Sequence, residues 1–228
     1  MIGIIGAMSI EVEGIRALMT DKKEITVSGV KFVSGKLGKN ELVTAVCGIG
    51  KVFAAICAEA MIIKFDPEII INTGVGGSLT PKLKIGDIAI ADKVVQHDMD
   101  TSPIGDPKGL ISGINKIYFE TDEKVSGLLS DCVKAEGVNT IFGGIASGDQ
   151  FIASKEQKKA ITDNFEAVVC EMEGAAIGHV CYVNEKPFAV LRAVSDSADD
   201  SAHMDYPEFA KMAAENYIKV IHRFATLY

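Results

Sequence analysis

The chain has 228 residues, 48% of them hydrophobic and 24% charged, which supplies the core of one large domain over residues 1–228 and enough charge for a soluble surface. Its formal net charge of −8, with no basic stretch, argues against nucleic acid or an anionic membrane as a partner. Five cysteines, none spaced Cys-x-x-Cys, read as small buried residues of a reduced, cytoplasmic compartment, and no apolar run reaches the ~18 residues of a membrane span.

In chain order, residues 2–5 form a short apolar run ending in Gly6, a first buried strand. Helical spacing follows from Ser9, a predicted N-cap, with Val12, Ile15 and Met19 on one face. Residues 25–36 and 41–46 read as strands, with Gly29, Gly38 and Asn40 near their turns. Residues 50–64 make the clearest helix, with Val52, Ile56, Ala60 and Ile63 along one face and Asp66-Pro67 as its stop. The β-branched run 68–72 is a strand covered on both faces, and it leads into Thr73-Gly74-Val75-Gly76-Gly77. Strands are expected over 85–92 and 94–96. Residues 97–117 carry two prolines and three glycines without periodicity, a loop of the length that often serves as a lid.

A helix over 121–135 ends at Gly137, and a strand over 140–146 delivers Ser147-Gly148-Asp149-Gln150-Phe151. Ser154 with Gln157 resembles a capping box for a helix to residue 164. A strand over 167–170, a helix reaching 183 and a last apolar strand over 188–194 follow. Asp205 and Glu208 are predicted to cap a C-terminal helix of about twenty residues. Strands alternating with helices define an α/β fold, and the clustered strands of the first half point to a three-layer architecture with a mixed, partly barrel-like sheet.

Three acidic residues stand where apolar strands end: Glu11, Glu173 and Asp196. In open α/β sheets ligands bind at the carboxyl ends of strands. Three carboxylates there point to proton-transfer chemistry on a polyhydroxylated substrate. Singly, each has an ordinary explanation: the helix dipole favours Glu11 and Glu173 in a first turn, and Asp196 can start an Asx-turn. Gly74-Val75-Gly76-Gly77 lacks the following helix that a dinucleotide pyrophosphate needs, and Gly48-Ile49-Gly50-Lys51 lacks the remaining residues of a P-loop. Neither supports a nucleotide cofactor. The histidines (His97, His179, His203 and His222) are scattered, without zinc-type spacing.

Seven segments in order, GIIGAMSIEVE, CGIGKV, IINTGVGGSL, KIGDI, SGDQFI, CEMEGAAIGHVC and RAVSDSAD, resemble the 5′-methylthioadenosine/S-adenosylhomocysteine nucleosidases of the nucleoside phosphorylase superfamily. The resemblance covers essentially the whole chain and implies a nucleoside phosphorylase-like fold. It implies hydrolysis of the N-glycosidic bond, releasing adenine, without cofactor or metal. By the same resemblance Asp196, oriented by Ser195, protonates adenine N7. Glu11 activates the attacking water, with Arg192 close to it. Glu173 accepts hydrogen bonds from the ribose hydroxyls and Met172 packs on the sugar. Phe151 stacks on adenine, the backbone of Ile152 reads its edge, and Met8, Ile49 and Tyr206 line the apolar part of the pocket.

The chemistry of the bond agrees with such roles. An oxocarbenium-like sugar needs one carboxyl to protonate the leaving group and another to activate water, so Asp196 is expected to hold its proton and Glu173 to stay ionised. A phosphorylase would need cations to anchor phosphate, and none precedes the glycine motif; Arg16, Arg192 and Arg223 are the only arginines. The chain departs from the family at Val75, where members often carry serine, and in the 98–113 loop, with Thr101, Ile104 and Asp106. In the family that loop completes the pocket of the neighbouring subunit, which implies a homodimer. A nucleosidase for another adenine nucleoside, such as aminodeoxyfutalosine, and a nucleoside sensor are the remaining alternatives.

Overall fold

The structure is a computed structural model that describes residues 1–199 and 202–228; of residues 203–208, 210, 213 and 214 it describes the backbone only. Among the described residues, ten strands and six helices follow one another. The strands are β1 (Ile2–Gly6), β2 (Thr20–Val27), β3 (Val30–Leu37), β4 (Asn40–Val46), β5 (Ile69–Ser78), β6 (Ile88–Gln96), β7 (Tyr118–Glu120), β8 (Thr140–Ser147), β9 (Ala167–Glu171) and β10 (Phe188–Asp196). The helices are α1 (Glu13–Leu18), α2 (Lys51–Phe65), α3 (Glu123–Ala135), α4 (Lys155–Asn164), α5 (Gly174–Val183) and α6 (Ala202–Leu227).

Closure of the sheet runs through β5, the longest strand. It pairs in parallel with β1 and β10 and, at its far end, antiparallel with β9 through Gly77 and Ser78. β10 continues to β6, β6 to β8 and β8 back to β9, so five strands close a barrel while β1, β4, β3 and β2 extend from β5 as an open sheet. Consecutive apolar residues in the central strands serve opposite layers. Ile5, Ile70 and Val190 pack toward α2 and α5, among Cys57, Met61 and Ile177. Ile4, Ile71 and Leu191 pack toward α3 and α6, among Leu129, Val133, Tyr217 and Phe224. The continuous β-branched runs therefore mark strands covered on both faces, and the molecule is the expected mixed three-layer α/β fold.

Several local expectations change for identifiable reasons. The single strand predicted over 25–36 is a hairpin, because Ser28 and Gly29 both take positive φ (50° and 78°), which turns the chain between β2 and β3. Ser9 is no N-cap: it opens a 3₁₀ turn, and α1 begins four residues later. The strand expected over 68–72 runs on through Thr73 to Gly77, all part of β5. The two strands expected around Lys93 are one, β6, with an irregularity between Ala91 and Val94. Tyr118–Glu120, a three-residue strand on β6, was too short to show a period. α6 is 26 residues long and starts at Ala202, so Asp205 and Glu208 lie within it instead of capping it; their side chains are among those not described.

In α2 the predicted apolar face is not the one that packs inward. Val52 and Ile63 are 69% and 75% exposed, while Ala54, Cys57, Ala58 and Met61 are fully buried. Apolar residues surround the whole helix, and a helix of that kind is normally covered on all sides.

Candidate active site

Strand β1 ends at Gly6, and the chain then folds back so that Glu11 lies beneath its own preceding backbone. Glu11 Oε2 accepts the N–H groups of Ala7 and Met8 at 2.6 and 2.9 Å, and Oε1 accepts that of Val75 at 3.3 Å. The side chain is buried, and burial, its largest influence, holds the carboxyl above the ordinary carboxylate value against Arg192 and these three N–H groups.

Asp196 closes β10. Its Oδ2 accepts from Ser195 Oγ at 2.8 Å, and its Oδ1 accepts from Ala198 N at 2.8 Å. Arg192, four residues earlier on β10, is 1% exposed. Its Nη1 donates to the carbonyls of Leu191 and Asn72, and its Nη2 to Asn72 Oδ1 and to Glu171 Oε2.

Glu173 precedes α5. Its Oε1 accepts the N–H of Gly50 at 2.9 Å, and its Oε2 lies 3.9 Å from Arg192. Gly50 stands at the N-terminus of α2 with φ 98°, a conformation only glycine adopts freely, and that aims its N–H at the carboxylate. Burial and the neighbouring Glu171 push Glu173 up to about 7, outweighing Arg192 and Gly50. Both influences act against the ionised form that the chemistry of the bond asks of Glu173, so its charge depends on what docks against it.

These strand ends surround a cleft of about 200 Å³. Met8, Glu11 and Ile49 line one side, Phe151 and Ile152 another, and Met172, Glu173, Ser195 and Asp196 the rest. Arg192 lies beneath the floor, and the Tyr206 side chain lies outside the described residues. Among the described residues that line the cleft there is no lysine or arginine, and the four acidic ones include Glu171, which the sequence reading passed over. No group of three or more His, Cys, Asp or Glu side chains among the described residues could hold a metal.

The glycine motif has a specific task here. A Cβ built on Gly74 would lie 2.8 Å from Glu11 Oε1, and one on Gly77 would lie 2.7 Å from Asp196 Oδ1. The motif makes room for two carboxylates, one on each side of β5. Gly77→Ala is accordingly expected to displace the Asp196 carboxyl and to lower kcat by about 10²-fold, the cost of misplacing a reacting group by roughly 1 Å. Turnover and the thermal midpoint, measured together, check this; wild-type kcat in a folded Gly77→Ala protein would refute it.

The 98–113 loop is tied to the cleft at one end. Asp98 pairs with Lys51 at 2.5 Å and accepts from Asp149 N at 2.9 Å. Thr101 and Asp106, two of the departures from the family pattern, hydrogen-bond each other at 2.8 Å, with Ser112 adding a second donor to Asp106. Ile104, the third, is 81% exposed.

A barrel-bearing mixed sheet with a carboxylate-lined cleft at its strand ends is the architecture of the Phosphorylase superfamily, whose family model matches residues 1–226. A 5′-methylthioadenosine/S-adenosylhomocysteine nucleosidase from Staphylococcus haemolyticus is 40% identical over 222 residues, covering 97% of each chain. Among solved structures, the nucleosidase of that name from Neisseria meningitidis, in complex with methylthio-immucillin-A, superposes with a TM-score of 0.96 at 34% identity, covering 100% of this chain and 99% of the other. A futalosine hydrolase from Helicobacter pylori superposes with a TM-score of 0.95 at 36% identity, covering 100% and 97%. The chain belongs to the 5′-methylthioadenosine/S-adenosylhomocysteine nucleosidase family.

Proposed function

We propose that this protein hydrolyses the N-glycosidic bond of 5′-methylthioadenosine and S-adenosylhomocysteine, releasing adenine and the 5′-thioribose product. The observation that carries water rather than phosphate as the nucleophile is the lining of the cleft: among the described residues, four carboxylates and no cation. A phosphate dianion entering there would meet like charge, and the one guanidinium described beneath the floor, that of Arg192, is already engaged by Glu171 and Asn72.

Asp196 delivers a proton to adenine N7, so that the base leaves neutral. Positive charge then develops on the ribose ring, and Glu173, ionised when the sugar hydroxyls dock on it, stabilises that charge. Glu11 takes a proton from the water that attacks C1′. The water's OH becomes the anomeric hydroxyl, and no metal enters the balance. Phe151, 46% exposed at the rim, stacks on the base, the backbone of Ile152 reads its edge, and Met8, Ile49 and Met172 cover the sugar and its 5′ substituent. Where family members place a serine hydroxyl near the water, this chain offers the Val75 N–H, already donated to Glu11.

Adenine release from 5′-methylthioadenosine, followed by chromatography with and without phosphate, tests the reading. Release with equal rate in both buffers is expected; release only with phosphate would make the protein a phosphorylase. A second reading, cleavage of a futalosine-type nucleoside, is favoured by the Helicobacter pylori neighbour alone, and including that nucleoside in the panel separates the two.

The unit that works is a homodimer on this reading. Outward-facing Val52, Phe53, Ile56 and Ile63 on α2, with Ile104 in the 98–113 loop, form apolar surface that a second copy would cover, and the loop then completes the neighbouring pocket. Sedimentation of the active sample as a monomer would remove the dimer from the proposal.

A further inference from the structure

The two glutamates of Glu171-Met172-Glu173 have opposite surroundings. Glu171 is saturated. Its Oε1 accepts from Ser147 Oγ and Gly174 N, and its Oε2 from Arg192 Nη2, Glu173 N and Gly174 N. A carboxylate offers about four lone-pair sites, so no acceptor capacity remains for a substrate hydroxyl. Ser147 Oγ is itself held by Ala175 N at 2.7 Å, which anchors this carboxylate at the N-terminus of α5. Glu173 accepts a single N–H, that of Gly50, and keeps Oε2 beyond hydrogen-bond reach of Arg192.

We infer that Glu171 is a positioning residue: it holds the Arg192 guanidinium away from Glu173 and so leaves the Glu173 carboxylate open to the ribose hydroxyls. This rests on the role of Glu173 proposed above. Arg192 has no solvent to turn to, being 1% exposed, and three carboxylates compete for it from different elements: Glu171 at the end of β9, Glu173 before α5 and Glu11 before α1. Glu171 takes the direct contact, with Asn72 Oδ1 on the same nitrogen. Without the Glu171 charge, the nearest alternative for Arg192 is Glu173, 3.9 Å away. An ion pair there would occupy the oxygen that the substrate needs.

The inference has a signature in pH. The groups facing Glu173 are Glu171, Arg192, Glu11, the Gly50 N–H and the thiol of Cys47, which burial keeps neutral. Glu171 raises Glu173 by repulsion, and Arg192, largely engaged elsewhere, lowers it too little to compensate. Glu171→Gln removes the repulsion and frees the cation for Glu173. Both changes lower the pH at which Glu173 ionises. The acidic limb of kcat/KM should therefore move to lower pH by about one unit or more, the size of shift that a new carboxylate–guanidinium pair produces. At pH 8, kcat/KM should fall at the same time by about tenfold or more, because Arg192 now competes with ribose.

The experiment is a set of pH profiles of kcat and kcat/KM for the wild type, Glu171→Gln and Glu173→Gln. A lowered rate with the limb displaced supports the inference. A lowered rate with the limb in place means that Glu171 only packs, and an unchanged rate means that it does nothing for the reaction; either result overturns the inference. Glu173→Gln keeps the two claims apart, since wild-type turnover in that variant would refute the ribose role itself. If Glu171→Gln fails to fold, Asn72→Ala loosens the same guanidinium on its other side and should move the limb in the same direction.

Discussion

Replacing Asp196 with asparagine is expected to lower kcat for adenine release by about 10²–10⁴-fold, the range that a positioned general acid or base contributes. The substitution is nearly isosteric at a site that is 3% exposed. The asparagine Oδ1 can still accept from Ala198 N, and the Ser195 hydroxyl can rotate to accept from the new amide, so the local hydrogen bonds survive. What disappears is the transferable proton. An amide can donate a hydrogen bond to N7, but it cannot protonate it, and adenine would then have to leave as an anion. The effect should fall on kcat, while binding of substrate, which depends on Phe151, Ile152 and Glu173, stays close to wild type. Turnover, substrate binding and the thermal midpoint decide the matter together. A folded Asp196→Asn protein that retained its rate would place the acid elsewhere.

Glu11→Gln is expected to have an effect of similar size, about 10²–10⁴-fold on kcat, for the complementary reason. Glu11 receives three backbone N–H groups, two on Oε2 and one on Oε1. Glutamine has one oxygen to offer. Keeping that oxygen on Ala7 and Met8 turns the amide NH₂ toward Val75 N–H and toward the cleft, so a proton acceptor becomes a donor at the place where water must lose its proton. The donor–donor contact with Val75 should destabilise the fold by only about 1–3 kcal/mol, the cost of one unsatisfied buried group. Burial already holds the Glu11 carboxyl above its ordinary value, nearer to the pH at which a base works best, which is why a charge-neutral replacement cannot stand in for it. Rate and thermal midpoint separate the outcomes: a large loss of rate with a small loss of stability supports the assignment, whereas wild-type turnover would refute it.

Much of the site was legible because strand ends are visible in sequence. Ile4, Ile5, Ile70, Ile71, Val190 and Leu191 are continuous apolar runs, and a run of that kind, short and bounded by glycine or an acid, tells where a doubly covered strand stops. Glu11, Glu173 and Asp196, which stand at such ends, line one cleft. The absence of cations near the glycine motif was equally plain. Glu171 was not legible. It sits two residues from Glu173 in an identical local context, and nothing in spacing says that one carboxylate will be enclosed by Ser147 and Arg192 while the other is left open. The purpose of Gly74 and Gly77 was hidden for the same reason, since the atoms they make room for come from residues about 60 and 120 positions away.

The sequence by itself determined the alternation of strands and helices, the acidic character of the site and the family to which the chain belongs, because periodicity, composition and ordered motifs are properties of neighbouring residues. Only the tertiary structure decided how β5, β10, β6, β8 and β9 close on one another, which face of the wholly apolar α2 turns outward, and which glutamate Arg192 holds. Those outcomes depend on pairings between strands far apart in the chain and on the division of a few lone pairs among donors from several elements. Such competitions are resolved by position in space, and local sequence carries no record of them.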